Sequence, residues 1–171
     1  MNRMRRLLRK FGIFILGVVV GIVIGLAAGL IVFPFVFAPP PAVEQRTEAD
    51  KTRLASGLFI HADPSDAVHW GKGGVALFDG AVFLESDFEV GPGPAYHVYL
   101  SESSAEELRR ADDKNALAQS GLRVDLGRLR AFQGSQRYAL PPGEDASKYS
   151  SVTVWCQAFK VLITVADLKK P

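Results

Sequence analysis

The stretch Gly74–Leu84, which reads GVALFDGAVFL, decides the fold of this chain. Two apolar runs, Gly74–Phe78 and Ala81–Leu84, flank the dipeptide Asp79-Gly80. Asp-Gly between apolar runs is the strongest short-range signal for a β-hairpin, because its two-residue turn needs backbone conformations that these residues tolerate. The sequence therefore predicts an antiparallel hairpin at this point and a β-rich domain around it.

Short apolar runs separated by turn residues continue on both sides of the hairpin. Further strands are predicted at residues 57–61, 96–100, 124–129, 136–140 and within 151–165. Many short strands at even spacing with little helix are typical of an antiparallel β-sandwich or barrel. We predict an all-β, antiparallel β-sandwich domain over residues 55–169.

One short helical insert is predicted inside this domain. Ser103 with Glu106, and Ser104 with Glu107, both have the spacing of a capping box, in which the two side chains satisfy backbone amides at a helix start. The helical pattern continues to about Leu117.

A long uncharged segment, residues 11–38, precedes the domain. As a helix it would reach about 42 Å, which exceeds the ~30 Å hydrocarbon core of a bilayer. The segment has no polar face, which argues against a buried core helix. It is longer than the apolar part of a cleaved signal peptide, and Pro39 directly after the best cleavage-like triplet disfavours processing. We predict an uncleaved transmembrane signal anchor.

Charge predicts the orientation of this anchor. Residues 1–10 carry five basic side chains and no acidic one, whereas the rest of the chain has 15 basic and 18 acidic residues. A basic leader stays in the cytoplasm. We therefore expect a single pass through the cytoplasmic (inner) membrane, with residues 1–10 inside and residues 39–171 in the periplasm or an equivalent extracytoplasmic space. Nothing in the domain predicts nucleic-acid binding, which needs clustered basic residues.

Glycine recurs at every fourth residue of the membrane segment, at Gly17, Gly21, Gly25 and Gly29. Such spacing forms a groove that lets a second helix approach closely. The pattern favours a homo-oligomer or packing on a partner helix; the alternative is that glycine is simply common in membrane helices.

Residues 39–54 are predicted to be a linker. The sequence APPPA at residues 38–42 is a stiff polyproline-like spacer, and residues 43–54 are polar with mixed charge. We expect no fold in this segment.

The sequence lacks the signatures of common enzyme classes. The glycine-rich segment 71–74 lacks the spacing and the Ser/Thr of a phosphate loop, and Ser135 is not in a G-x-S-x-G elbow. No two of the three histidines have metal-ligand spacing on a helix, so no metal site is predicted. Both methionines lie in the leader, which leaves only His/His or His/Cys ligation open for a haem in the domain.

Cys156 is the sole cysteine, so the chain cannot form an internal disulfide. Strand alternation places Cys156 on one face with Val152, Val154 and Ala158, which favours a small, buried core residue with an inert thiol.

The other face of this strand is also apolar. It carries, by parity, Trp155, Phe159, Val161, Ile163 and Val165. Either the strand is buried on both sides, or a bulge near residues 157–160 switches the faces and directs a side chain at a site.

Several motifs, in order, resemble the DM-thirteen domain, the "electron-transfer DM" domain of extracellular proteins. The matching blocks are Gly57-Leu58-Phe59, His69-Trp70-Gly71 to Leu77, Gly91-Pro92-Gly93-Pro94 with Tyr96-His97-Val98-Tyr99-Leu100-Ser101, Asp125-Leu126-Gly127-Arg128-Leu129, Gly134-Ser135-Gln136-Arg137-Tyr138-Ala139-Leu140-Pro141, Tyr149 to Cys156 with Phe159, and Ala166-Asp167-Leu168. The resemblance covers nearly all of residues 55–169, and its Trp-Cys block is specific.

This resemblance implies a β-sandwich in the style of DOMON domains and a proposed redox role centred on the family's cysteine, here Cys156. The family's cysteine is viewed either as a naked redox thiol or as a ligand for a prosthetic group. The chain departs from the pattern by an Ala-rich insert around residues 105–118. It carries no DOMON domain, so its electron donor must be another protein.

Two hypotheses follow. In the first, the protein is a membrane-tethered redox or electron-transfer module: Cys156 is the reactive centre, Trp155 shields it, and His69 or His97 tunes its thiolate or shares a cofactor such as a haem-like group. Its partner is an unidentified redox or envelope protein. In the second, the domain is a non-enzymatic module that binds a ligand or protein, and Cys156 is only core. A hydrolase using Cys156 and a histidine is disfavoured, because no orienting acid is identifiable.

Overall fold

A computed structural model of the chain describes residues 2–48, 50–111 and 122–171. The chain forms two compact units, Met1–Phe37 and Ala38–Pro171. The first unit is a single helix, α1 (Asn2–Val36). Its segment Arg9–Leu30 has a mean hydropathy of 2.8 and is long and apolar enough to cross a membrane. Helix α1 is therefore a candidate membrane anchor.

The regular structure described in the second unit is mostly β-strand, with one α-helix and a 3-10 turn at Ala146–Lys148. Its elements are β1 (Ala42–Val43), β2 (Arg53–Leu58), β3 (Ile60–His61), β4 (Gly71–Lys72), β5 (Gly74–Phe78), β6 (Ala81–Leu84), β7 (Glu89–Val90), β8 (Tyr96–Ser101), α2 (Ala105–Arg110), β9 (Val124–Arg128), β10 (Gly134–Ala139), β11 (Ser151–Cys156) and β12 (Val161–Asp167). The predicted all-β, antiparallel fold is confirmed.

Two five-stranded sheets make up the body of this unit. The first has the order β1-β10-β6-β5-β2, the second the order β3-β12-β11-β8-β9, and β4 pairs with β7 in a small separate ribbon. Among the strands of the described residues, all pairs are antiparallel except β1 with β10. The main apolar core takes buried side chains from both sheets, among them Leu77, Val82, Val98 and Val154. This arrangement is a β-sandwich.

The predicted hairpin is present. Strands β5 and β6 pair with Phe78 opposite Ala81 and Leu77 opposite Val82, and Asp79-Gly80 forms the turn. Nearly all side chains of both strands are buried, because their second face carries the small cluster Ala76, Phe78 and Phe83.

The stretch predicted as one strand at residues 57–61 is divided between the two sheets. Strand β2 pairs with β5 of the first sheet, and β3 pairs with β12 of the second. Between them lies the buried Phe59, whose backbone N–H donates to the carbonyl of Gly73. The chain changes sheets at this residue because its ring enters the core between them.

Helix α2 confirms one of the two predicted capping boxes. The Ser104 side chain accepts from the Glu107 backbone N–H, and Glu107 accepts in return from the Ser104 backbone N–H. The helix ends at Arg110, where Ala111 is extended, so it is shorter than predicted. The remainder of the predicted helix, up to Leu117, lies outside the described residues apart from Ala111.

The expectation that residues 39–54 have no fold is wrong for their middle part. Strand β1 pairs in parallel with β10, at Ala42 opposite Gly134 and Val43 opposite Ser135. Glu44 and Asp50 form ion pairs with arginines of the domain. These contacts join residues that are far apart in the sequence, so a polar composition alone did not reveal them.

Candidate functional site

The candidate site lies on β11, the central strand of the second sheet. All six of its side chains are buried, which confirms the interpretation of a strand buried on both faces. Residues 157–160 form an exposed turn that joins β11 to β12, instead of a face-switching bulge. A register shift does occur, but inside the ladder, between Val154 and Trp155.

Cys156 is the last residue of β11 and points into the main core. Its side chain is 0% exposed and packs in the same cluster as Val152, Val154 and Ile163. Across the ladder it lies opposite Tyr96 of β8. The next residue, Gln157, is exposed and its backbone N–H donates to the carbonyl of Ala95 at 2.9 Å. The thiol is thus covered, although it is one residue from the surface along the chain.

Tyr96 is the polar neighbour of Cys156. Burial raises the pKa of its phenol, and the nearby Cys156 and Asp66 raise it further. The ring packs so closely against Gly93 that a Cβ at this glycine would collide with it. The Tyr96 phenol is thus within electrostatic reach of both Cys156 and Asp66.

Trp155 lies on the opposite face of the strand from Cys156. It belongs to the second apolar cluster, which packs Leu108 of α2 and Leu162 of β12 against the outside of the sheet. Successive side chains of a strand point to opposite faces, so neighbouring residues cannot share one pocket. The structure therefore corrects the expected arrangement: the core side chains, and not Trp155, cover the Cys156 sulfur.

His97 is also placed away from Cys156. In the ladder it lies opposite Trp155, so its imidazole is on the outer face of the sheet. Its Nδ1 is 2.9 Å from Asp125 Oδ2. The expected tuning of the Cys156 thiolate by His97 has no geometric basis in this structure, because the β-sheet separates the two side chains.

Asp125 gathers several donors around its carboxylate. Besides His97, it accepts from the Gly127 backbone N–H at 2.8 Å and from Gln157 Nε2 at 3.3 Å. Gln157 Nε2 also donates to the Tyr99 hydroxyl at 2.7 Å. Burial is the main reason why the pKa of Tyr99 is raised, and Asp125 raises it further although Gln157 lowers it. This polar cluster anchors the end of the β11–β12 hairpin on the outer face.

His69 is held by a carboxylate in the loop before β4. Its Nδ1 is 2.6 Å from Asp66 Oδ2, and its carbonyl is 2.9 Å from His61 Nε2. The backbone N–H and the side chain of His69 lower the pKa of Asp66 to about 2. His69 lines a groove of about 620 Å³ together with Arg109 of α2 and Leu162 of β12. Cys156 does not line this groove.

A haem-like group does not fit at Cys156 in this packing. Cys156 is 0% exposed, and it lines neither the groove beside His69 nor three further cavities among the described residues. His97 is separated from it by the sheet, and His69 makes its described contacts with Asp66 and His61. Among residues 2–48, 50–111 and 122–171, no group of three His, Cys, Asp or Glu side chains has a metal-binding arrangement.

The fold and the site together define the class of this protein. It is a β-sandwich domain that follows an apolar helix and encloses one thiol at the end of strand β11. The chain belongs to the family described as "Electron transfer DM13", whose sequence model matches residues 64–168. This is the family that the motifs resemble. The match supports a general electron-transfer or redox role. Comparison with curated proteins and with solved structures gives no significant match.

The sequence did not single out Tyr96, Asp66 or Asp125 as site residues. Tyr96 stands in a recognised motif, but only the register of β8 against β11 brings it to Cys156. The Asp66-x-x-His69 spacing was a usable local signal, since an aspartate three residues before a histidine can orient the ring within one turn.

Proposed function

We propose that this protein is a membrane-tethered electron-transfer domain that works outside the cytoplasm, with Cys156 as its redox centre. Family membership supports electron transfer. The observation that carries the assignment to Cys156 is its position: the sole sulfur of the domain ends the central strand, beside Tyr96 and one residue before an exposed turn.

Burial restricts how such a centre works. Exchange with a partner's thiol or disulfide requires the sulfur atoms to meet. A sulfur that is 0% exposed cannot make that contact in the closed fold. Redox chemistry at Cys156 therefore requires the turn at residues 157–160 to open. The Cys156 thiolate then attacks a partner's disulfide, a mixed disulfide forms, and the partner's second sulfur leaves as a thiolate.

The test compares the full-length protein, purified from native membranes in detergent, with Cys156→Ala. In a potentiometric titration buffered with glutathione and its disulfide, we expect the wild type to interconvert reversibly between the thiol and a mixed disulfide, and this signal to be lost in Cys156→Ala. Val154→Ala is the matched control, because it removes volume from the same strand face but leaves the sulfur in place. A signal that survives in Cys156→Ala, or is lost equally in Val154→Ala, contradicts the assignment to the thiol.

A second candidate function is a non-enzymatic module that binds a ligand or protein at the cell envelope, with Cys156 as a core residue. The complete burial of Cys156 among apolar side chains favours it. If wild-type protein purified from native membranes gives no redox signal, this second function is the one that remains.

We further propose that helix α1 is the anchor, with its basic leader in the cytoplasm, and that it self-associates through Gly17, Gly21, Gly25 and Gly29. The basic leader supports the orientation. Within the helical unit nothing lies within 4 Å of a Cβ placed at any of the four glycines, so their groove is open to a second helix.

One experiment tests both parts of this proposal. An impermeant lysine-reactive crosslinker added to intact spheroplasts should join two copies through lysines of the domain. Replacing Gly21 and Gly25 by Ile should reduce the crosslinked dimer several-fold, because the larger side chains fill the groove. An impermeant reagent with one reactive group serves as the control: labelling without dimers refutes self-association alone, whereas no labelling refutes the orientation.

A further inference from the structure

Residues 42–48 and 50, termed the strap from here on, lie along the edge of the first sheet. The Ala42 backbone N–H donates to the carbonyl of Gln133 at 2.8 Å, and the Glu44 N–H to the carbonyl of Ser135 at 3.0 Å. The Ser135 hydroxyl donates to the Glu44 carbonyl at 2.7 Å. Gly134 lets the strap pass, because a Cβ at this position would collide with the Ala42 carbonyl. The docking is thus specific in register.

Two ion pairs secure the strap. Arg130 holds the Glu44 carboxylate with two bonds of 2.8 and 2.9 Å, and the Arg137 backbone N–H donates to the same carboxylate at 2.9 Å. The Arg137 guanidinium holds Asp50 with two further bonds of 2.8 and 2.9 Å. Such paired bonds between a guanidinium and a carboxylate fix geometry as well as charge.

The strap contributes little to the apolar core. Val43 is 85% exposed, and Asp50 is the buried residue among the strap positions that the structure describes. Segments with few buried apolar contacts open at a lower free energy than the core. The strap can therefore leave the sheet while the sandwich stays folded.

We propose that the strap is detachable, and that its docking sets the length of free chain between helix α1 and the domain. This inference rests on the proposed function of a membrane-tethered domain. With the strap docked, four residues, 38–41, are free, and they span about 12 Å as a proline-rich extended segment. With the strap detached, residues 38–52 are free and reach about 50 Å.

Detachment of the strap would change which electron-transfer partners the domain can reach. A longer tether enlarges the volume that the domain searches, and detachment also exposes the edge of β10 that β1 covers. A partner shifts this equilibrium only if it binds one of the two states more tightly. The docked strap would thus limit partners to those within the shorter reach.

The first test is limited trypsin digestion of the full-length protein in detergent. Glu44→Gln combined with Asp50→Asn should increase the rate of cleavage after Arg46 at least tenfold, because both ion pairs of the strap are lost. Glu48→Gln is the matched control, since Glu48 is an exposed strap carboxylate paired with Lys51. Hydrogen exchange should rise at the amides of Ala42 and Glu44 and stay unchanged in the hairpin of β5 and β6.

Equal cleavage of the wild type and the double variant would overturn docking. Exchange that rises equally in the strap and the hairpin would overturn separate detachment. These readouts involve neither redox chemistry nor a bilayer, so they stand apart from a failure of the proposed function.

The second test measures the reach itself. Spin labels at Phe37→Cys and Ser86→Cys, in full-length protein in lipid nanodiscs, should give a longer and broader distance distribution in the double variant than in the wild type. The same distribution in both proteins would overturn control of the tether length.

Discussion

Cys156 in the native protein should react with a thiol reagent at least about 10³-fold more slowly than in the denatured chain. The sulfur is 0% exposed at the end of the central strand, so reaction requires the structure to open. Opening of core elements costs several kcal/mol, and each ~1.4 kcal/mol lowers the reactive population tenfold. The measurement is the labelling rate of the full-length protein in detergent as a function of denaturant concentration.

The denaturant dependence identifies the opening that exposes the thiol. A labelling rate that is flat at low denaturant indicates local opening of the turn at residues 157–160, whereas a rate that rises throughout indicates unfolding of the sandwich. Ala158→Cys in a Cys156→Ala background is the control, because residue 158 lies in the exposed turn and should react at once. Native Cys156 that reacts as fast as this control would refute its burial and allow redox chemistry by direct contact.

A flat dependence and a rising one have different consequences for the proposed electron transfer. Local opening would let a partner's sulfur reach Cys156 without loss of the fold, so thiol exchange becomes feasible. Labelling that requires global unfolding would exclude exchange in the native state. The second candidate function, a binding module with Cys156 as a core residue, would then be favoured.

Local sequence patterns predicted the parts of the fold that depend on neighbouring residues. The turn at Asp79-Gly80, the capping box at Ser104 and the burial of β11 on both faces each follow from a few consecutive residues. The strap could not be predicted in this way. Its pairing depends on Arg130, Arg137 and the space at Gly134, which lie more than 80 residues further along the chain.

The candidate site shows the same division. Strand parity placed Cys156 correctly with Val152 and Val154 in the main core. The partners across the ladder depend on the register between β8 and β11, which a single sequence does not contain. This register puts Tyr96 beside Cys156 and places His97 beside Trp155 on the other face. Parity also placed Trp155 on the other face from Cys156, which argued against the expected shielding, because consecutive residues of a strand face opposite ways.

Trp155→Ala should reduce the free energy of unfolding of the domain by about 3–5 kcal/mol, the usual cost of truncating a buried aromatic side chain. Trp155 is 2% exposed and packs in the cluster that joins α2 to the outside of the second sheet. Pulse proteolysis of the full-length protein in increasing urea measures the change. Phe159→Ala is the matched control: this aromatic residue of the same hairpin is 46% exposed, so its truncation should change stability by less than about 1 kcal/mol.

Substitutions at Trp155 and Phe159 also separate stability from redox function. Because Trp155 and Cys156 lie on opposite faces of the strand, Trp155→Phe should preserve both the potentiometric signal and the slow labelling of Cys156. Fast labelling of Cys156 in Trp155→Phe would show that the indole controls access to the thiol, and would restore the shielding role expected from the sequence. Destabilisation by Phe159→Ala equal to that by Trp155→Ala would instead show that the exposed turn is packed against other residues, and that Cys156 is less easily reached than its position suggests.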